Sequence, residues 1–204
     1  HPTRTPLQDQ RLILQRLAET FPGVTAISEE HASEFGAPDS VGSRFFLVDP
    51  VDGTKAFVRG DPNFTVNIGL IENGVPVAGA VCAPATGEVW FTTAEGAMKR
   101  TSPTSPEAPA RVRPWPTGKA VALVSHTLKP EYLTALIERY GFDEKQPMDS
   151  SIKLCMIAQG SADIYPRHGT TMEWDIAAGH AVLAGRPAGR PRHAFRKIGG
   201  HRMR

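Results

Sequence analysis

Residues 47–57 read Leu-Val-Asp-Pro-Val-Asp-Gly-Thr-Lys-Ala-Phe. The apolar run that leads into them, Phe45-Phe46-Leu47-Val48, has the composition of a buried strand. Pro50 is expected to end that strand, because it has no N–H to give to a ladder. Asp49 and Asp52 then stand at the mouth of a buried element, where two carboxylates are costly unless something positive lies between them. Hard divalent cations take oxygen ligands of this kind. Gly53 lets the backbone approach a ligand closely, and Thr54 offers a hydroxyl. Asp-Pro-x-Asp-Gly is equally good turn chemistry, so these residues alone leave a metal site and a plain turn both open.

Upstream, residues 7–20 fit an amphipathic helix, with Leu14 and Leu17, and Leu7 and Ile13 nearby, able to share a face. Pro22-Gly23 stops it, and residues 24–27 form a short strand that ends in Ser28-Glu29-Glu30. Downstream, residues 64–71 alternate as a strand should, and Glu72-Asn73-Gly74 is a hairpin signal. Residues 75–83 and 88–92 continue the meander. Residues 1–100 are therefore expected to form an N-terminal α+β half, an antiparallel sheet with at least one helix and the candidate metal site. Residues 101–118, rich in Pro, Ser and Thr, read as a surface linker. In 119–185 strands at 120–124 and 162–165 alternate with helices at 130–140, 152–159 and 173–184, the second capped near Ser150 or Ser151, which suggests an α/β half.

The bulk composition excludes several classes. The chain of 204 residues is long enough for a sizeable core, and no apolar run approaches the roughly 20 residues of a membrane span. His1-Pro2-Thr3-Arg4-Thr5-Pro6 lacks the apolar core of a signal peptide. Cys82 and Cys155 read as buried reduced thiols, which favours the cytoplasm, with a single disulfide as the alternative. The net charge of +2 hides an asymmetry, for residues 186–204 hold seven Lys/Arg and no acid, leaving the remainder at −5. That basic tail reads as a solvated end, polyanion binding being the alternative, and no nucleic-acid partner is expected.

Acids stand at element ends in three places: Glu29-Glu30, Asp49 with Asp52, and Asp175 near the start of a helix. A solvated loop and a helix-dipole partner explain the first and last individually. If all converge, they make a cage for two or more divalent cations, suited to phosphoryl transfer to water. No dinucleotide loop, P-loop, nucleophile elbow or zinc-spaced Cys/His set competes. His126, His168 and His180 are scattered and are not assigned to metal, and Trp174 is expected to pack.

Ser-Glu-Glu at 28–30, Asp-Pro-Val-Asp-Gly-Thr at 49–54 and Trp-Asp-Ile-Ala-Ala-Gly at 174–179 resemble, in order and spacing, the three signatures of the lithium-sensitive, magnesium-dependent inositol monophosphatase superfamily. Thr-Lys-Ala-Phe at 54–57, Phe-Thr-Val-Asn-Ile at 64–68, Ser-Ser-Ile-Lys at 150–153 and Ala-Asp-Ile-Tyr-Pro-Arg at 162–167 resemble its branch of CysQ-type 3'(2'),5'-bisphosphate nucleotidases. The resemblance covers about residues 12–184. It implies a layered α–β–α–β–α sandwich of the sugar-phosphatase type with the site between the halves, here lacking the first helix and the C-terminal strands. The family's further acid, which helps polarise water, aligns with Pro6, and Asp9 lies three residues later.

The same resemblance implies two or three Mg²⁺ ions. Glu29 and Asp49, with the carbonyl of Val51, would hold the one that activates water; Asp49, Asp52 and Asp175 would hold the second. Thr54 would orient the water, the N–H groups of Gly53 and Thr54 would cradle the phosphate, and Ser150, Ser151 and Lys153 would lie near the nucleotide, Asp175 beside it. Glu173 and Ser125-His126 are secondary candidates for that pocket. The implied activity is removal of the 3'-phosphate of adenosine 3',5'-bisphosphate, giving AMP and phosphate in sulfate assimilation and nucleotide recycling, by a cytoplasmic protein for which a homodimer is one option. An inositol-phosphate or other sugar-phosphate monoesterase, and a truncated relative that binds metal or nucleotide without turnover, are the alternatives.

Overall fold

The structure, a computed structural model, describes residues 6–185 apart from 37, 39, 127, 143, 168 and 169; the basic tail, the expectation of missing C-terminal strands and His168 lie outside the described residues. Strand β2, Arg44–Asp52, is the apolar stretch of the opening motif, and the large sheet is built around it. Strand β1, Thr25–Ser28, joins it in parallel, and β3, Thr65–Glu72, pairs antiparallel on the other side. The sheet continues as a meander through β4 (Val75–Ala83), β5 (Glu88–Thr93), β6 (Gly96–Arg100) and β7 (Ala108–Pro109), giving seven strands in chain order. The hairpin between β3 and β4 turns on Asn73 and Gly74, both at positive φ, as a two-residue loop matched to strand twist requires.

Pro50 does not end β2. The strand runs on to Asp52, and the register shifts between Asp49 and Asp52. The proline sits in that irregularity, where the ladder is already broken and no N–H is needed.

Helix α1, Pro6–Thr20, covers one face of the sheet, setting Ile13, Leu14 and Leu17 on Phe46, Val48, Ile68 and Leu70. The opposite face is covered by α6, Glu173–Ala184, and by α5, Ile152–Ala158. Val81 and Trp90 of the sheet, Cys155 of α5 and Val182 of α6 form one core. Beyond α5 lies a two-stranded parallel sheet of β8 (Val121–Val124) and β9 (Glu144–Pro147). Helix α4, Pro130–Tyr140, makes the crossover between them and packs Leu133 and Leu136 on the far face of β8. The layers thus run α–β–α–β–α, a mixed α/β fold of the expected type. Among the described residues no helix is long and apolar enough to cross a membrane, and both cysteines are free thiols.

Three elements differ from expectation. Glu144–Pro147 has no strand composition, and its pairing comes from the crossover that lays it beside β8. The strand expected at 162–165 is reduced to one bridge, Ile164 to Ala122. There the Asp163 carboxylate takes the N–H of Val121 at 2.7 Å, in place of a ladder carbonyl. Residues 101–118 contain β7, which pairs with β6, and Arg113 forks onto the same Asp163 at 2.7 and 2.6 Å.

Helix α6 lies directly on sheet backbone. A Cβ at Gly69 would stand 2.9 Å from the Ala178 nitrogen, and one at Gly79 would overlap the Ala178 carbonyl. Gly79→Ala should therefore destabilise the fold by about 1–3 kcal/mol, the usual cost of overpacking. Urea unfolding should show a lower midpoint at an unchanged slope. Gly118→Ala, where the added methyl meets nothing, should stay within about 0.5 kcal/mol of the unaltered chain.

Candidate active site

Because β1 and β2 are parallel, their C-terminal ends lie side by side, and the register Ser28↔Val48 sets the next residues, Glu29 and Asp49, at the same sheet edge. Glu29 opens helix α2, Glu29–Phe35. Asp175 enters from the first turn of α6, which crosses β2, β3 and β4 on the face beneath. One carboxylate oxygen from each of Glu29, Asp49 and Asp175 falls within 4.8 Å of the others. Asp49 is 1% exposed. Glu30 stays out of this group, and Asp52 lies at its side, lining a cleft with Asp175.

Burial, then the charges of Asp52 and Glu29, push the Asp49 carboxyl up to about 10, and its contact with Glu29 raises it further in the absence of a cation. Glu29 and Asp52 are also raised, burial leading in each case. Like charges out of water raise one another in this way. The donor set consists of carboxylates, which suits a hard cation such as Mg²⁺. Two buried acceptors nearby, Ser28 Oγ and Asn67 Oδ1, have no hydrogen-bond partner among the described residues; the first belongs to the residue next to Glu29 and the second to the residue opposite Asp49. The residues present therefore fit a divalent cation with its hydration water.

Asp52 is held differently. Its Oδ2 accepts the Ser151 N–H at 2.6 Å, the Asn67 amide at 3.2 Å and the Thr65 hydroxyl at 3.3 Å. Gly53 follows in a left-handed conformation, φ 86. A Cβ there would meet the Asn63 carbonyl at 3.1 Å and Ser150 Cβ at 3.2 Å, so only glycine fits without strain. Thr54 opens helix α3, Thr54–Arg59, and its hydroxyl donates to the Val51 carbonyl at 3.2 Å. The expected ligand carbonyl and the expected water-orienting hydroxyl thus touch each other.

The C-terminal half supplies the cleft's other wall. Ser150 is left-handed, φ 56, and Ser151 occupies the N-cap position of α5. Ser151 makes no side-chain cap; its Oγ instead donates to the Asp175 main-chain carbonyl at 2.5 Å, while Ser150 Oγ accepts the N–H of Ile152, the first residue of α5, at 3.4 Å. Lys153 is nearly buried and donates to the carbonyls of Ser150, at 2.7 Å, and Met148, at 3.1 Å. Burial pulls its ammonium down to about 8 against the opposing pull of Asp52 and Asp149. Tyr165, Arg167 and Thr171 also line the cleft. Arg167 donates to the Tyr165 hydroxyl at 2.9 Å, and Thr171 donates to the Asp175 carboxylate at 2.7 Å. These three, with Asn67 and Thr65, were not singled out as site residues from the sequence. The available signals differed: Thr65 and Asn67 are polar residues at buried strand positions, Thr171 stands just before a helix start, and Tyr165 and Arg167 lie in the 162–167 stretch that resembles the nucleotidase branch. His126 lies beside Asp149, 3.2 Å away, as does Arg59 at 3.0 Å. Glu173, Ser125 and Asp9 are not among the residues of the carboxylate group or the cleft wall.

A profile of the inositol monophosphatase family matches residues 3–186. The chain is 36% identical over 182 residues to the 3'(2'),5'-bisphosphate nucleotidase CysQ of Salmonella typhimurium, covering 88% of this chain and 71% of that one. It is 35% identical over 184 residues to the CysQ of Escherichia coli, covering 89% and 72%. Among solved structures, CysQ from Bacteroides thetaiotaomicron superposes with a TM-score of 0.68 at 32% identity, over 89% of this chain and 74% of that one. Mycobacterium tuberculosis SuhB gives 0.66 at 29% identity, over 86% and 69%.

The raised Asp49 carboxyl makes stability depend on pH. A carboxyl raised to about 10 in the metal-free folded state would stay protonated at pH values where the unfolded chain, with its ordinary value of about 4, has lost the proton. The contribution is thus complete below the unfolded value and disappears as pH rises toward the folded one. In chelator, the stability of the unaltered protein minus that of Asp49→Asn should fall between pH 6 and pH 8, by up to about 1.4 kcal/mol per pH unit. Urea titrations at the two pH values measure it; a flat difference would show that Asp49 is ionised.

Proposed function

The chain belongs to the inositol monophosphatase family, and from that premise we propose that it is a Mg²⁺-dependent phosphomonoesterase that removes the 3'-phosphate of adenosine 3',5'-bisphosphate, yielding AMP and phosphate. The observation that carries this is the meeting of Glu29, Asp49 and Asp175 beside a cleft whose other wall holds Lys153 and Arg167. The relatives named CysQ support the bisphosphate as substrate. Clearance of a by-product of sulfate activation goes with that substrate.

Mg²⁺ in such a carboxylate nest supplies acidification of water and neutralisation of phosphoryl charge. Glu29, Asp49, Asp52 and Asp175, with the Val51 carbonyl, are the residues that would hold it. The chain's own groups do the rest. Water adds to phosphorus, the bond from phosphorus to the ribose 3'-oxygen breaks, and that oxygen leaves with a proton from the water. The Thr54 hydroxyl, whose own hydrogen goes to the Val51 carbonyl, has lone pairs free to accept a hydrogen from the attacking water. The left-handed turn at Gly53 keeps side-chain bulk away from the incoming phosphate. Arg167 offers a fork suited to phosphate, while Lys153 has two of its three N–H groups on carbonyls and one left for an anion. Two cations on the wall opposite the acids favour a substrate with a second phosphate over a singly phosphorylated sugar.

Phosphate release from adenosine 3',5'-bisphosphate should require Mg²⁺ and be inhibited by Li⁺. Asp52→Asn should lower kcat by at least about 100-fold, the upper end of what loss of an outer partner of a metal costs. Turnover unaffected by chelator or by Asp52→Asn would exclude the enzyme assignment. Arg167→Ala should raise KM for the bisphosphate about tenfold or more, as the loss of a charge-assisted hydrogen bond implies. It should leave KM for inositol 1-phosphate nearly unchanged; equal effects on both substrates would argue for an inositol-phosphate enzyme.

A further inference from the structure

Asn67 lies on β3 opposite Asp49 and is fully buried; in the sequence it stands in an alternating strand and in the 64–68 stretch that resembles the nucleotidase branch, with no role attached to it. Its amide nitrogen makes two hydrogen bonds, to Asp52 Oδ2 at 3.2 Å and to Ser151 Oγ at 2.9 Å. Ser151 Oγ has one hydrogen, committed to the main-chain oxygen of Asp175 at 2.5 Å, so toward Asn67 it can only accept. The direction of the chain is thereby fixed, from Asn67 to Ser151 to Asp175, with a branch from Asn67 to Asp52. The Ser151 N–H closes the loop on Asp52 Oδ2 at 2.6 Å.

No other side chain of this size meets the requirement. The position must give two N–H groups to two acceptors, and it must do so without adding charge to a crowd of carboxylates. A carboxylate in its place would face Asp52 with acceptor against acceptor, and an aliphatic side chain would give neither bond. With both hydrogens used in this way, Asn67 Oδ1 is left buried without a partner among the described residues. A buried acceptor without a partner is unfavourable, so the orientation is held by the two hydrogens the amide donates.

We propose that Asn67 is a positioning residue: through Ser151 it couples the Asp52 carboxylate to the backbone of Asp175 and so sets the spacing of the acids that hold the divalent cation. This rests on the metal-dependent function proposed above. Asp52 belongs to the end of β2 and Asp175 to the first turn of α6, elements with no covalent reason to stay in step. Ser151 bridges them, by its N–H to Asp52 and its Oγ to Asp175. Asn67, on the strand between, fixes that Oγ as a donor to Asp175 while giving its other hydrogen to the same Asp52 oxygen. Outer partners of this kind orient ligands and tune affinity.

The test is Mg²⁺ binding by calorimetry on the full chain after chelator treatment, comparing the unaltered protein with Asn67→Leu, Ser151→Ala and the double variant. Each single variant should weaken Mg²⁺ binding by about 10–100-fold. The double variant should be little worse than the weaker single, because both changes cut one chain. Variants that lose thermal stability in chelator yet bind Mg²⁺ like the unaltered protein would overturn the positioning role, as would fully additive losses. Should Asn67→Leu fail to fold, Ser151→Ala decides alone, since it removes a single oxygen; Mg²⁺ affinity within twofold of the unaltered protein then overturns the coupling. Absence of Mg²⁺ binding by the unaltered chain would instead remove the metal-dependent function, and the coupling with it.

Discussion

Asp49 is buried where two parallel strand ends and a helix start bring other carboxylates against it, and this crowding governs the rest of the site. Carboxylates in low dielectric cannot all be charged at once. The protein meets the problem residue by residue. Asp49 and Glu29 lie against each other, and burial raises both carboxyls toward their neutral forms when no cation is present. Asp52 draws three donors onto one oxygen. Asp175 accepts the Met172 N–H at 3.0 Å at the positive end of its helix, together with the Thr171 hydroxyl. Each device makes the metal-free state tolerable while leaving an oxygen-lined nest that a dication would satisfy better.

The crowding depends in turn on how closely α6 approaches the sheet. Gly69 and Gly79 let the helix backbone rest on strand backbone at Ala178. Asp175, one turn earlier on the same helix, is thereby lowered toward the end of β2. Gly179 does the same on the other side, where a Cβ would run into Leu154 of α5. Small residues on α6 thus set the distance between the acid-bearing sheet and the helix that begins with Ser151 and Lys153. Packing and chemistry share these contacts.

The finished site has two walls of opposite sign. The sheet side carries acids and the α5 side carries Lys153 and Arg167, with the cleft between. A phosphate ester is a ligand that needs both, an anion for the cationic wall and a centre whose charge a divalent cation on the acidic wall can neutralise. The Lys153 ammonium is partly spent on the turn that carries Ser150. Its contribution to binding is thereby joined to the shape of that turn and to the close contact between Ser150 and Gly53.

The sequence alone determined the local elements wherever pattern and punctuation agreed. Helix α4 and helix α6 begin and end at the residues their periodicity and flanking signals indicated, and the 73–74 turn carries its own geometry. The acids at Glu29, Asp49, Asp52 and Asp175 were visible too, because charge beside an apolar run stands out and their motifs resemble a family's. What the sequence could not determine is which acids meet, since Glu29, Asp49 and Asp175 are brought together by a parallel strand pair and a helix crossing. It could not show that Pro50 lies inside a strand, because the register shift that accommodates it arises only when β3 pairs with β2. Nor could it give Asn67 or Thr65 a role, although both stand in the 64–68 stretch that resembles a family branch. Their role depends on which partner each side chain faces, and only the packed α6 and α5 layers decide that.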